Sequence, residues 1–88
     1  LYNAYPNPFN PKTIIKYSLI RDSYVKITIY DQRGRLIRIL IDNKEGPGTK
    51  SIQWDGKNSK GEVVGSGMYF YRIQTGIFNQ TKKIILLK

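Results

Sequence analysis

The stretch from Ser23 to Tyr30, SYVKITIY, decides the fold because its side chains alternate between apolar and polar. Val25, Ile27 and Ile29 occupy every second position, and polar residues stand between them. Successive side chains of a β-strand point to opposite faces, so this spacing places the three apolar residues on one side. β-Branched and aromatic residues, which favour strands, make up most of the stretch. It therefore predicts a strand with one buried face.

The same period of two recurs along the chain and predicts five further main strands. They are Thr13–Leu19, Arg35–Ile41, Lys50–Trp54, Met68–Thr75 and Gln80–Leu87. A short additional strand is predicted at Glu62–Val64. Helical spacing has some support only in Gly34–Asn43, where isoleucines two residues apart favour a strand. With polar, glycine-containing turns between the strands, the pattern predicts an all-β, immunoglobulin- or fibronectin-like antiparallel β-sandwich of about seven strands.

Length and composition predict one small domain. The chain has 88 residues, enough for a single core. We predict a proline-rich lead-in or linker over residues 1–11 and a β-sandwich over residues 12–88. No apolar run approaches the roughly 20 residues that span a bilayer. The chain begins with Leu1 rather than Met, so we expect a piece of a longer protein whose export signal lies upstream.

The residue types that are missing restrict the chemistry. The chain has no Cys and no His, which excludes thiol nucleophiles, imidazole bases and zinc sites built from these ligands. The acidic residues fall mostly in turns, and no pair is held as a hydrolase needs. In Asp55–Gly61, Lys57 places an ammonium where a calcium loop needs an oxygen ligand, so a plain turn is the better interpretation. We therefore predict no enzyme, no catalytic residue, no metal site and no cofactor.

The charge balance is strongly basic. Lys and Arg number 15 against 6 acidic residues, which gives a net charge of +9. Such a balance permits a polyanionic partner. The charges are spread one or two to a segment, however, as on the solvent face of an ordinary β-domain. Nucleic acid is therefore not a predicted partner, whereas an anionic surface glycan stays open because alternate strand positions align scattered lysines on one face.

Two stretches stand out from the strand pattern. Tyr5–Pro11 contains three prolines, which fix the backbone in an extended entry to the domain. It is interpreted both as a stiff lead-in pinned by Phe9 and as a domain-boundary motif carried by Pro6, Asn7 and Pro8.

The second stretch is Gly65–Gly67, which precedes an aromatic strand and suggests a bulge or a close backbone approach. We expect Tyr69 and Tyr71 in the core, with a hydroxyl bonded to the backbone as in the tyrosine corner of sandwich domains. The face that Phe70 occupies stays open.

With these residues set out, the chain resembles the C-terminal sorting domains of type IX secretion system cargo, in the class similar to the immunoglobulin-like domain of the flagellar hook-capping protein. The resemblance runs nearly end to end. Its marks, in order, are Tyr5–Pro11, Ile29–Arg35, Trp54–Gly56 followed by Gly61, Ser66–Arg72 and Lys82–Lys88. Each mark alone is weak, and their shared order and spacing make the resemblance strong.

The resemblance implies a secretion signal attached to an upstream cargo domain. An outer-membrane translocon recognises the folded domain, and a sortase-like peptidase removes it and joins the cargo to an anionic lipopolysaccharide, or the cargo is released. Any cleavage is expected just before or near Pro6–Pro8. The residues implied in recognition are Gly67, Tyr69, Lys82, Lys83, Ile84, Ile85, Leu86, Leu87 and Lys88. The end of the chain at Lys88, after an apolar strand, fits a signal read at the extreme C-terminus.

Alternatives remain from other functional classes. A carbohydrate-binding module would use Trp54, Tyr24 or Phe70 as a stacking platform. A structural spacer would have no partner of its own. A flagellar hook-cap module is weaker, since nothing in the sequence indicates a flagellar parent, and an enzyme is the weakest.

Overall fold

A computed structural model describes residues 2–7, 12–76 and 78–87 and contains six β-strands. The strands are β1 (Thr13–Leu19), β2 (Ser23–Asp31), β3 (Leu36–Glu45), β4 (Gly48–Trp54), β5 (Gly67–Gln74) and β6 (Asn79–Leu86). The all-β prediction is confirmed. The short strand predicted at Glu62–Val64 is wrong, because Val63 makes only an isolated bridge to Lys57. The described part of the chain includes no helix long and apolar enough to cross a membrane.

The strands form two antiparallel sheets. One sheet has the order β1–β4, and the other has the order β3–β2–β5–β6. The stretch that decides the fold is therefore the inner strand β2, which pairs with β3 on one side and β5 on the other. The chain changes sheet between β1 and β2, between β3 and β4, and between β4 and β5, as a sandwich requires.

The core lies where the inner faces of the two sheets meet. The four-stranded sheet contributes Val25, Ile27, Ile29, Tyr69, Tyr71, Ile73, Ile84 and Leu86, and the two-stranded sheet contributes Ile15, Tyr17, Leu19 and Trp54. These residues occupy alternate strand positions, which confirms the period of two. Trp54 is fully buried, and its ring meets that of Tyr69 edge to face, with centroids 5.4 Å apart and planes at 70°.

The two edges of the four-stranded sheet differ in regularity. The pairing of β2 with β3 shifts register twice. Leu40 and Ile37 of β3 therefore have no opposite residue in β2 and form bulges. The loop after Trp54 also lies along this edge, where the Ser59 N–H donates to the Ile37 carbonyl over 3.1 Å. At the opposite edge, β5 and β6 pair over eight residues without a shift. β6 is thus the straighter and more regular edge strand.

The hairpin between β2 and β3 has the turn that the sequence predicts. Gly34 has a φ of 81°, a conformation that glycine adopts without steric cost. The Asp31 carboxylate closes the turn, since its Oδ1 accepts hydrogen bonds of 2.9 Å from the backbone N–H groups of both Arg33 and Arg35. One side chain thereby fixes the connection between two neighbouring strands.

The core packing gives a direct stability prediction. Ile29 is 0% exposed in β2, whereas Ile20 is 89% exposed between β1 and β2. Ile29→Ala leaves a cavity between the sheets and is expected to lower the free energy of unfolding by about 2–5 kcal/mol. Ile20→Ala removes the same atoms from a solvated site and is expected to change it by less than about 0.5 kcal/mol. Urea titration of both variants checks the difference, and equal losses would contradict the inner-face assignment.

Candidate functional site

The predicted recognition residues come together on two neighbouring strands. Gly67 and Tyr69 of β5 lie directly opposite Leu86 and Ile84 of β6. Lys83 lies opposite Phe70 in the same ladder. Two segments that are separate in the sequence therefore form one continuous part of the four-stranded sheet. Of the remaining predicted residues, Pro8 and Lys88 lie outside the described residues.

Burial divides the predicted residues into two groups. Tyr69, Ile84 and Leu86 belong to the core. Lys83 and Leu87 are exposed, and Gly67, Lys82 and Ile85 are half-buried. The first group holds the two strands in place, and the second is accessible to a partner. Along β6 this division follows the alternation of faces, except that Lys82 is only half-buried although it shares the inner face with Ile84 and Leu86.

Tyr69 ties the glycine segment to the core. Its ring packs on Trp54, and its hydroxyl donates a 2.7 Å hydrogen bond to the Gly65 carbonyl. Gly67, two residues after Gly65, has a φ of 147°, a backbone conformation that residues with a side chain rarely adopt. The prediction of a core tyrosine with a backbone partner is thus confirmed, and the glycine has a conformational reason to be there.

The N-terminal segment is bound to the sandwich through Tyr71. The Tyr71 hydroxyl accepts a hydrogen bond from the Ala4 N–H over 2.8 Å and donates one to the Tyr2 carbonyl over 3.0 Å. Burial raises the pKa of Tyr71 above its ordinary value of 10.0, so the hydroxyl keeps its proton and its ability to donate. Ala4 itself is buried in the core. The chain entering the domain is therefore fixed by a buried phenol from β5.

Backbone and side-chain bonds extend this attachment to Pro6. The Tyr5 N–H donates to the Ile14 carbonyl over 3.0 Å, and the Ile14 N–H donates to the Tyr5 carbonyl over 2.9 Å. The buried Thr13 donates its hydroxyl hydrogen to the Pro6 carbonyl over 2.7 Å. Residues 2–7 are thus bonded to the sandwich as an additional segment beside β1. The division of the chain at residue 11 stays a prediction.

Asn7 joins this segment to the outer edge of β6. Its Nδ2 donates to the Lys83 carbonyl over 3.2 Å, and its Oδ1 accepts from the Ile85 N–H over 2.9 Å. The predicted boundary motif and the predicted recognition strand are therefore in direct contact. Sequence reasoning missed this contact. The available signal was a lone Asn between two prolines, which fixes its backbone but does not identify a partner 78 residues away.

A shallow cleft lies beside Gly67, between it and the β2–β3 hairpin. Asp31, Gln32, Arg33, Arg35 and Ser66 are among the residues that line it. The backbone N–H of Arg35 is the main cause of a lowered pKa at Asp31, and the Arg35 side chain and the Arg33 N–H add to it. The carboxylate therefore stays ionised and keeps the hairpin closed near Gly67.

The polar side chains Asp55 and Asn58 of the loop from Asp55 to Gly61 are hydrogen-bonded within the domain. Asp55 Oδ1 accepts a hydrogen bond from the Lys57 N–H over 3.2 Å and from the Arg38 guanidinium over 2.8 Å. The Asn58 side chain accepts the N–H groups of Lys60 and Glu62. These contacts favour the interpretation of the loop as a turn. In the described residues, no three acidic side chains are grouped as a metal site would need.

The three rings considered for sugar stacking do not share one surface. The hypothesis that Trp54 stacks on a sugar is wrong, because its ring is fully buried between the sheets. Tyr24 and Phe70 both lie on the outer face of the four-stranded sheet. Phe70 pairs with Tyr30, six residues along β2 from Tyr24, so the two rings are about 20 Å apart along the strands. That separation is too great for both to stack on one sugar unit.

The family model described as the secretion system C-terminal sorting domain matches residues 3–87. The chain belongs to this family. The family is one of sorting signals rather than catalysts, and its members occur in cargo proteins of the type IX secretion system, behind an upstream cargo region. Proteins sorted in this way cross the outer membrane to the cell surface or are secreted.

Solved structures agree with the sorting-domain fold. Dimeric latent PorU from Porphyromonas gingivalis is similar over 97% of this chain, at 24% identity and a TM-score of 0.76. FlgD from P. aeruginosa is similar over 84%, at 27% identity and a TM-score of 0.66. PorZ, a surface component of the type IX secretion system of P. gingivalis, is similar over 98%, at 19% identity and a TM-score of 0.67.

The sorting domain covers only part of these larger proteins. The similar regions are 9% of the PorU chain, 58% of the FlgD chain and 11% of the PorZ chain. A search of curated proteins found no match.

The Tyr71 hydroxyl is expected to stabilise the sorting domain through the N-terminal segment. Tyr71→Phe leaves the buried Ala4 N–H without its acceptor and should cost about 1–3 kcal/mol of unfolding free energy. Tyr5→Phe removes a hydroxyl from a side chain that is 80% exposed and serves as the matched control. Chemical denaturation measures both, and trypsin cleavage at Lys12 should accelerate only in Tyr71→Phe. An unchanged cleavage rate there would contradict the proposed anchoring of residues 2–7.

The Asp31 turn gives a pH prediction. The pKa of Asp31 is lowered from its ordinary value of 3.8, so the folded state binds its proton less readily than the unfolded state. Its contribution to stability is therefore present above pH 3.8 and is lost as the pH falls through the lower, folded-state pKa. The difference in melting temperature between the unaltered domain and Asp31→Asn should be largest near pH 7 and narrow towards pH 2. A difference that does not change over this range would refute the contribution.

Proposed function

We propose that the outer-membrane translocon recognises this sorting domain in its folded state, through β6 and the end of β5 that pairs with it. The observation that carries the proposal is the direct pairing of Gly67 and Tyr69 with Leu86 and Ile84. A signal dispersed in the sequence becomes a single surface only after the sandwich has formed. The physical reason for reading a folded domain is that unfolding separates these strands.

The outer edge of β6 is the part best suited to a protein partner. An edge strand offers backbone N–H and C=O groups to a further strand, and side chains beside them supply specificity. The backbone groups of Lys83 and Ile85 face outward on this edge, and Asn7 bonds to one group of each. Lys83 and the half-exposed Leu87 stand beside the edge and add a charge and an apolar contact. We propose that an extended segment of the translocon adds to β6.

The buried residues have a different role in this scheme. Tyr69, Ile84 and Leu86 hold β5 and β6 on the core and do not touch a partner. Gly67 allows β5 to begin beside the β2–β3 hairpin, with its backbone close to the Gln32 side chain. Lys82 lies opposite Tyr71 on the inner-face side of the ladder and is half-buried. These residues act by positioning the edge.

After translocation, we propose that a sortase-like peptidase acts on the chain near Pro6–Pro8. Residues 2–5 are bonded to β1 and Tyr71, so these contacts have to open before a peptide bond of the segment can enter a protease's active site. The cargo is then joined to an anionic surface glycan or released. We propose no catalytic role for the domain itself, because the carboxylates of Asp31 and Asp55 are bonded to the backbone of their own turns.

Matched double variants test recognition at β6. Lys83→Glu/Leu87→Glu alters two accessible residues at the β6 edge, and Leu36→Glu/Lys44→Glu makes the same chemical changes on β3. A reporter carrying the complete chain at its C-terminus is expressed in a bacterium with a type IX secretion system. We expect the amount of reporter at the cell surface to fall at least about tenfold for the β6 variant and to change little for the β3 variant. Only the β6 variant alters the edge to which the extended segment of the translocon would add.

The stability of both variants serves as the control for folding. All four positions are solvent-accessible, so unfolding free energies should stay within about 1 kcal/mol of the unaltered domain. Substitution is sharper than deletion of residues 84–88, because deletion also removes Ile84 and Leu86 from the core. Normal surface display of the folded β6 variant would refute recognition at this edge.

A further inference from the structure

The free edge of β6 is partly covered from within the molecule. Regular edge strands invite unwanted pairing, and proteins usually protect them with charges, bulges or a covering segment. β6 has no register shift against β5. Among the residues that the structure describes, the Asn7 carboxamide is the group that hydrogen-bonds to its outward-facing backbone, at Lys83 O and Ile85 N. Asn7 therefore stands where the next strand would begin.

The bonding pattern of Asn7 imitates a parallel strand. A residue on a parallel neighbour donates its N–H to one carbonyl and accepts the N–H two residues further along. The Asn7 side chain does both, with Nδ2 on Lys83 and Oδ1 on Ile85, and so lies opposite Ile84. An antiparallel strand would also be blocked, because it needs both backbone groups of Lys83 or of Ile85. Either kind of strand has to displace the carboxamide.

The contacts of its neighbours support the position of Asn7, in addition to its own two bonds. Thr13 is fully buried and bonds the Pro6 carbonyl over 2.7 Å. Tyr5, the residue before Pro6, is held against β1 by two backbone hydrogen bonds with Ile14. These contacts anchor the segment to the sheet opposite β6, so the side chain that reaches β6 is supported from the other half of the sandwich.

We propose that Asn7 is an edge cap: it keeps the β6 edge closed until an extended segment of the translocon, adding beside Ile84, takes over its two hydrogen bonds. The inference rests on the proposed recognition at β6. It links the two ends of the domain, because movement of the proline-containing entry segment opens the strand that is read. The cap also prevents β6 of one copy from pairing with β6 of another before export.

Amide hydrogen exchange tests the cap directly. In Asn7→Ala and in Asn7→Leu, which keeps the bulk of the side chain, the Ile85 N–H loses its acceptor. Its exchange should accelerate at least about fivefold, the effect of losing one ordinary hydrogen bond. The amides of Lys82 and Ile84, bonded towards β5, should be unchanged. Asn3→Ala, at an exposed position of the same segment, is the matched control and should leave Ile85 unaffected.

Export of a reporter fused to the complete chain completes the test. An edge cap predicts that both Asn7 variants reach the surface at least as fast as the unaltered chain. An Ile85 amide that exchanges at the same rate in all variants would overturn the cap, even if the β6 edge is required for sorting. Loss of export in folded Asn7 variants would also overturn it, since Asn7 would then be recognised rather than displaced. Failure of recognition at β6 is seen separately, as normal export of Lys83→Glu/Leu87→Glu.

Discussion

The contact between Trp54 and Tyr69 is the constraint on which the rest of this domain depends. Trp54 ends the small sheet and Tyr69 belongs to the large one, so their edge-to-face packing holds the two layers together. The indole N–H also donates to the Lys57 carbonyl over 3.0 Å and thus starts the following loop. The Tyr69 hydroxyl holds the Gly65 carbonyl at the end of that connection. The chain has no disulfides, so side-chain packing such as this aromatic contact has to join the layers.

Alternation alone was sufficient to identify the strands, because each strand has one face in the core. Thr13–Leu19 was predicted with its bounds correct, and Val25, Ile27 and Ile29 are all fully buried. The errors arise where alternation is weak. β3 is apolar on both faces and extends four residues beyond the predicted Ile41, through polar residues. Two of these, Asp42 and Glu45, also accept hydrogen bonds from the hydroxyls of Tyr24 and Tyr17. Val63 looks like a strand residue in sequence, but only one bridge forms there because its neighbours serve the Asn58 turn.

The surface that carries function was less accessible to sequence reasoning. Pairing of Gly67 and Tyr69 with β6 depends on strand order, which periodicity does not specify. The family resemblance, rather than spacing, indicated those residues. Trp54 was considered as a sugar-stacking ring because a tryptophan at a strand end is compatible with either the core or an exposed platform, and its burial is settled only by the packing of the two sheets. The contact of Asn7 with β6 had no local signal, since a side-chain amide replaces backbone pairing between distant segments.

The two edges of the large sheet solve the same physical problem in different ways. β3 is bulged at two positions and is bonded by a neighbouring loop at Ile37, so its edge is irregular and partly occupied. β6 is regular and is covered by one carboxamide that a competing strand can replace bond for bond. Permanent distortion would protect β6 equally well, but it would also prevent strand addition. A replaceable cover combined with a regular ladder is therefore the arrangement expected of an edge that has to be protected before it is used.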